Sequence, residues 1–361
     1  MKVLVTGHEG YIGARLLPLL QSRGMEVHGL DAGFYTDGLL YDALATPFHG
    51  AQEKDIRRMT VDDVAGYDAV VHLAELSNDP LSMHDEANTY AINHKGSVHI
   101  AQLCKEAGVD RFVYTSSCSV YGVPADAPIK DETSPLHPQT AYAVCKTLVE
   151  RDLKALADDA FSPTFLRNAT AYGPSPRQRF DIVLNNLAGY AQTTGVINMT
   201  SDGSPWRPLV HVDDICKAIR CTLEAPRDAI HNNVFNVGAT DENYTIREIA
   251  EIVADVFPEC ELSVGSNCAD NRSYRVNFDK IHRELPGFSC DYTLHDGAQQ
   301  LRSVFEDIDL DTDTFEFRAF TRLKQLKYLI ETGQLDPEFF WIDEVITGDG
   351  SPTPVSPVTS R

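Results

Sequence analysis

Lys2-Val3-Leu4-Val5-Thr6, followed by Gly7-His8-Glu9-Gly10-Tyr11-Ile12-Gly13, is a short apolar run that ends in G-x-x-G-x-x-G. The run has the composition of a buried strand. Leu16, Leu17, Leu19 and Leu20 then mark the apolar side of a helix closed by Gly24. Glu26-Val27-His28-Gly29-Leu30 predicts a second strand that ends at Asp31. Strand, glycine turn, helix, strand and acid together form the unit that holds a dinucleotide. Glycines let the backbone approach a pyrophosphate, and the helix start offers unpaired N–H groups. Asp31 stands where a carboxylate accepts from the adenosine ribose hydroxyls. No Arg follows it (Ala32, Gly33), so a 2′-phosphate would meet repulsion and NAD is favoured over NADP. Pro18 falls inside the predicted helix and predicts a kink there.

Outward from this unit, strand and helix alternate. Asp55-Ile56 reads as a strand end beside the adenine. Asp68 to Leu73 is another buried strand, ending in Ala74-Glu75. His72 within it reads as a packed, hydrogen-bonded residue. Glu75 stands at the strand's carboxyl end, facing a ligand or solvated in a turn. Ala87 to Ala107 predicts one long helix, Arg111 to Thr115 a strand, Thr140 to Ala157 a helix and Pro163 to Arg167 a strand. This alternation implies an α/β fold with a doubly wound parallel sheet. After residue 170 the sequence grows richer in Pro, Arg and Asn. A helix is expected near Asp181 to Ala191, a strand at Leu209 to Val212, and a helix from Asp213, which would cap it. The expected division is a dinucleotide-binding domain over residues 1–170, with 209–238 returning to it. A smaller substrate-binding domain of separated segments takes 171–208 and 239–335. Residues 343–361 have the composition of a disordered tail. Alternating acids from Asp307 to Asp313 lack the Gly and Glu of a calcium loop, which leaves a solvated acidic loop and no metal site.

Composition narrows the partners. The 361 residues carry a formal charge of −22. Such acidity argues against nucleic acid and anionic membranes, which demand basic surface. No apolar run reaches the length of a membrane span, and the first strand begins at residue 2, so the expected location is cytoplasmic. The eight cysteines form no C-x-x-C pair and no zinc spacing.

Tyr142 and Lys146 lie four apart on one predicted helix face. A tyrosine is a poor base at neutral pH. A neighbouring ammonium and a cationic nicotinamide favour its phenolate. With Ser116-Ser117 at a strand end one element earlier, the chain resembles the extended short-chain dehydrogenases/reductases, of the nucleotide-sugar epimerase/dehydratase group. The matching stretches run in order over residues 1 to about 305. They include the glycine turn, Asp31, Asp55-Ile56, His72-Leu73-Ala74, Asn93-x-x-Gly96 and Ser116-Ser117-x-x-Val120-Tyr121-Gly122. Tyr142-x-x-x-Lys146, Tyr172-Gly173-Pro174, Arg207 to Asp214 and Phe235 to Gly238 complete the set. The resemblance implies Ser117 as hydrogen-bond partner of the reacting oxygen, Tyr142 as base and Lys146 as its activator. It implies a cofactor site of Gly7, Gly10, Tyr11, Ile12, Gly13, Asp31, Asp55, Ile56, Leu73, Ala74, Asn93, Tyr142, Lys146 and Tyr172. It also implies a homodimer built on the 87–107 and 142–157 helices.

Departures from the pattern carry information. Dehydratases of the group follow the catalytic Ser or Thr with an Asp-Glu pair. Here those positions are Cys118 and Ser119, so elimination of water lacks its proton donors. Thr170 stands where many relatives have Asn. Arg207 and Arg272 fall where relatives clamp a nucleotide diphosphate, a task suited to bidentate guanidinium. Arg177, Arg179, Asn185 and its neighbour Asn186 are further candidates, with Glu75, Cys118, Ser119 and Thr170, for the substrate side. The expectation is an NAD-dependent nucleotide-sugar epimerase, inverting C4 through a transient ketone. The alternatives are a ketoreductase, a 4,6-dehydratase with an acid relocated to Glu75, and a non-catalytic NAD sensor.

Overall fold

The computed structural model describes residues 1–42, 50–77, 79–122, 129–199, 201–265 and 273–342. Arg272 and the predicted tail from 343 lie outside the described residues. Twelve strands are present among the described residues: β1 (Lys2–Thr6), β2 (Glu26–Asp31), β3 (Ala51–Glu53), β4 (Ala69–His72), β5 (Arg111–Ser117), β6 (Ser162–Asn168), β7 (Thr170–Tyr172), β8 (Val196–Met199), β9 (Trp206–His211), β10 (Asn233–Val237), β11 (Asn243–Thr245) and β12 (Glu261–Val264). Seven make one parallel sheet in the order β10-β6-β5-β4-β1-β2-β3. Its central strands are apolar on both faces because helices cover both. Val3 and Val5 point into one core with Leu16, Leu20 and Ile215. Leu4 and Val70 point into the other with Ile100 and Val149. Strand order reverses between β1 and β4, which opens a crevice outside their carboxyl ends.

A third core gathers Phe180, Leu184, Ile249, Leu301, Phe305 and Phe315. Of the stretch 209–238, only β10 joins the large sheet. The preceding strand, β9, pairs parallel with β7 and antiparallel with β11.

The first helix, Gly13–Ser22, contains Pro18 in its interior. Three local expectations are modified. Asp55 ends no strand; its carboxylate accepts from Arg57 N and caps a short 3-10 turn, Ile56–Arg58. The predicted 87–107 helix is Glu86–Thr89, a π-helical stretch Tyr90–Gly96, then Ser97–Ala107. Helix Val212–Glu224 is capped by His211, since Asp213 is taken by Arg15 at 2.8 Å.

Candidate active site

A cleft of about 830 Å³ opens at the carboxyl ends of the central strands. The glycine turn forms one wall through Gly7, Gly10, Tyr11, Ile12 and Gly13. Gly7 has φ +78°, and a Cβ there would sit 2.6 Å from Ala74 N, so only glycine permits this approach to the end of β4. Asp31 lies at one end, its carboxylate accepting from Glu9 N at 3.0 Å and Gly33 N at 2.9 Å. Asp55, Ile56, Leu73 and Ala74 also line the cleft.

The floor is set by helix Ala141–Leu156, whose cap, Thr140, accepts from Ala143 N. Its first two turns present Tyr142 and Lys146 to the cleft, opposite Ser117 at the end of β5. The Ser117 hydroxyl lies near enough to the Tyr142 phenol to favour its ionised form. The Lys146 ammonium lies 5.4 Å from the Tyr142 ring centroid. It donates to Thr115 O and pairs at 2.5 Å with Glu75, whose side chain is 2% exposed. Glu75 also accepts from the Tyr114 hydroxyl at 2.7 Å. Burial raises the proton affinity of this carboxyl. Glu75 is therefore neither solvated nor idle.

This pairing changes the electrostatics expected from sequence. Burial, then the negative charges of Glu75 and Asp79, push the Tyr142 phenol above its ordinary range. Lys146 alone does not acidify it, because Glu75 answers the ammonium charge. His72 beneath them is fully buried between the Thr6 and Ser97 hydroxyls at 2.6 and 2.8 Å. Burial and then Lys146 push its pKa down to about 3.

Of the residues expected to meet the substrate, Ser119, Thr170, Arg179, Asn186 and Arg207 line the cleft. Arg179 holds Asp181 at 2.8 Å and reaches Ser77 Oγ at 3.3 Å. Arg207 is nearly buried beside the Tyr274 ring.

Five candidates are placed elsewhere. The Cys118 thiol is buried and donates to Arg167 O, away from the cleft. Asn185 is buried and bonds the Tyr11 hydroxyl, Gly173 and Arg179 O, holding the wall from behind. Arg177 is spent on Glu9 and Thr36 O. Tyr172 packs edge-on against His211 under Gly297. Asn93 bonds both Leu76 N and Leu76 O, so it shapes the loop after β4 rather than facing a ligand. Residue type and spacing marked all five, but the direction of each side chain is set by tertiary partners.

Sequence reasoning missed Tyr35, Asn168 and Arg322, all of which line the cleft. Arg322 begins the helix Arg322–Glu331, beyond every matched motif, and has no local signature. Asn168 ends β6, a strand that was legible, so its place at a carboxyl end was the available signal.

The lining fits a dinucleotide. Ser119 Oγ and Asn168 Oδ1 are buried at its surface without a hydrogen-bond partner among the described residues. Such atoms are satisfied by a polar ligand. The glycine wall and Asp31 supply the two remaining features.

Comparison with known proteins agrees. A UDP-glucose 4-epimerase from Lactobacillus helveticus is 30% identical over 267 residues, covering 70% of this chain and 80% of that protein. A dTDP-glucose 4,6-dehydratase from Streptomyces niveus is 28% identical over 329 residues, covering 85% and 93%. The solved structure of MoeE5 in complex with UDP-glucose and NAD superposes with a TM-score of 0.73 at 27% identity, covering 85% of this chain and 99% of that one. The model of the NAD dependent epimerase/dehydratase family matches residues 3–238. The chain belongs to that family, and NAD is its cofactor.

Proposed function

We propose that the protein is a nucleotide-sugar epimerase that inverts the sugar at C4 through a transient ketone. The observation that carries this reading is the absence, among the described residues, of an uncommitted carboxyl beside Ser117. Position 118 is a thiol turned into the core, and position 119 is a hydroxyl. The described carboxylates that act on Tyr142 most strongly are Glu75 and Asp79, and both are engaged. Glu75 holds Lys146 and Tyr114, and Asp79 accepts from Thr140 Oγ at 2.6 Å.

In this reading Ser117 and Tyr142 hold the sugar hydroxyl between them. Tyr142 accepts its proton as the carbon is oxidised and returns it after the sugar has turned. NAD⁺, when bound, supplies a reversible hydride acceptor and a positive charge facing the floor. Lys146, held by Glu75 and Thr115 O, keeps its place beside Tyr142. Arg207, with Arg272 from outside the described residues, would clamp the diphosphate of the substrate. A second reading, elimination of water with Glu75 as acid, draws on the raised proton affinity of that buried carboxyl.

Proton NMR of the full-length protein with UDP-glucose, dTDP-glucose and other nucleotide sugars in D₂O separates the two. Epimerisation without added NADH gives an inverted sugar with no deuterium on carbon, since the same hydride goes back. A 6-deoxy-4-keto product carrying solvent deuterium would replace the first reading with the second.

A further inference from the structure

Arg322 is 4% exposed and lies on the cleft surface, yet its guanidinium has no ion pair and no hydrogen bond among the described residues. Its Cζ lies 4.0 Å from the centroid of the Tyr35 ring. Its backbone N–H donates to Asp181, whose other oxygen is held by Arg179. A guanidinium has five donors, and one this little exposed that faces the cleft favours a ligand supplying acceptors there. Burial, and then the like charge of Arg179, push the Arg322 pKa down to about 10. Two arginines therefore share one side of the cleft with Asp181 as the carboxylate between them. Planar, bidentate donors at such a place suit phosphate oxygens.

The position of the pair within the cleft selects which phosphate. Tyr35, on which Arg322 stacks, lies four residues after Asp31, at the ribose-binding end. Arg179 reaches toward Ser77, in the loop after β4, and its charge is felt at Tyr142. The pair thus stands between the acid of the first ribose and the catalytic floor, where a dinucleotide carries its diphosphate. Arg207 and Tyr274, the basic and aromatic residues of the substrate side, form a separate group.

Chain connectivity adds a consequence. Residues 318–342 pack along the loop that follows β2. Gln325 donates to Phe34 O, Arg318 pairs with Asp37, and Trp341 Nε1 donates to Ala32 O. We propose that this C-terminal segment is a working part of the cofactor site, inserting Arg322 beside Arg179 as a second clamp on the dinucleotide diphosphate, opposite the glycine turn. The proposal rests on NAD being the cofactor and adds residues outside the family's matched span.

The test compares the full-length wild type with Arg322→Met, which keeps the length of the stem, and Arg322→Lys. One readout is the NAD(H) retained through purification, measured after acid release. The other is a thermal-shift titration with ADP-ribose, UDP and dTDP. For Arg322→Met the half-saturating ADP-ribose concentration should rise about 10- to 100-fold, the range for losing a charged hydrogen-bond donor. Retained NAD(H) should fall, UDP and dTDP should be unaffected, and the nucleotide-free thermal midpoint should hold or rise. Arg322→Lys keeps the charge but not the fork, giving a smaller loss, and it serves alone if the Met variant does not fold. Unchanged ADP-ribose half-saturation, or a loss confined to UDP and dTDP, overturns the proposal. Wild-type indifference to ADP-ribose overturns it together with the cofactor assignment.

Discussion

The floor of the cleft and its arginine wall each bury a cation, and they treat it in opposite ways. On the floor, Lys146 is answered within the protein by Glu75 and Thr115 O. On the wall, Arg322 is equally little exposed, but its guanidinium faces the cleft with no hydrogen bond or ion pair among the described residues. A buried charge that is already paired is held in place and tunes its neighbours. A buried charge that is unpaired stores an unmet demand that only a ligand can meet. The first arrangement suits a group that must stay put through a reaction. The second suits a group whose energy is released on binding.

The largest expected effect strikes the floor. Tyr142→Phe removes the phenol that faces Ser117 while keeping the ring. Turnover should fall about 10²- to 10⁴-fold, the usual contribution of a positioned acid–base group. ADP-ribose affinity should stay unchanged if floor and wall are separable. Product analysis by NMR and thermal-shift titration measure the two sides. Wild-type turnover in this variant would remove the floor from the chemistry altogether.

Glu75→Gln is the sharper probe, because it makes the floor resemble the wall. Lys146 would lose its counter-charge. Breaking one side of a buried pair costs about 3–5 kcal/mol, and the amide's retained hydrogen bonds place this variant toward the lower figure. The pH dependence has a definite sign. Burial first, then the negative charge of Glu75, raises the proton affinity of Tyr142. With that charge gone the phenol ionises more easily, so the rising limb of kcat against pH moves to lower pH. A limb that stays in place would mean that Glu75 acts on structure alone. A nucleotide-free thermal midpoint equal to wild type would mean that the pair is worth less than its burial implies.

The two regions were unequally legible in the sequence. The glycine turn, Asp31 and the Tyr142–Lys146 spacing could be read because local geometry fixes them. A close turn requires glycine, and four residues make one helical turn. The parallel sheet followed from the apolar runs at Val3–Val5 and Val70–Val71. Glu75 was visible as a strand-end acid, but its partner was not, since Lys146 lies 71 residues away on another element. Arg322 carried no signal at all. Its place depends on a C-terminal segment folding back onto the loop after β2, through contacts spanning nearly the whole chain. Cys118, Asn185, Arg177, Tyr172 and Asn93 show the converse. Each has a residue type suited to the site, with a side chain claimed by another part of the protein.

Gly13→Ala tests the wall opposite Arg322, which offers neutral N–H groups instead of charge. A Cβ there would lie 2.5 Å from both Gly7 O and His8 O, so the backbone of the turn must move. Overpacking of this kind costs about 1–3 kcal/mol. A lowered thermal midpoint with weakened ADP-ribose binding is expected, because the displaced atoms belong to the surface that meets the diphosphate. Loss of stability with full affinity would shift the weight of diphosphate binding toward the arginines.

The smallest expected effect separates the anchoring of the arginine wall from its charge. Trp341 Nε1 donates to Ala32 O at 2.5 Å, and its ring packs near Phe34. Trp341→Phe keeps an aromatic ring there and removes the hydrogen bond, leaving a carbonyl directly after Asp31 without that donor. The expected loss is about 1 kcal/mol. In a chain of this size that corresponds to a fall in thermal midpoint of about 2 °C or less. Arg322 would remain in the cleft, tied by the backbone bond to Asp181 and by Tyr35, so ADP-ribose affinity should change by less than about threefold. A larger loss of affinity from so small a loss of stability would mean that the segment's docking, rather than the buried guanidinium, sets the strength of the clamp. The contrast between paired floor and unpaired wall would then reduce to a question of how firmly the C-terminal segment is held.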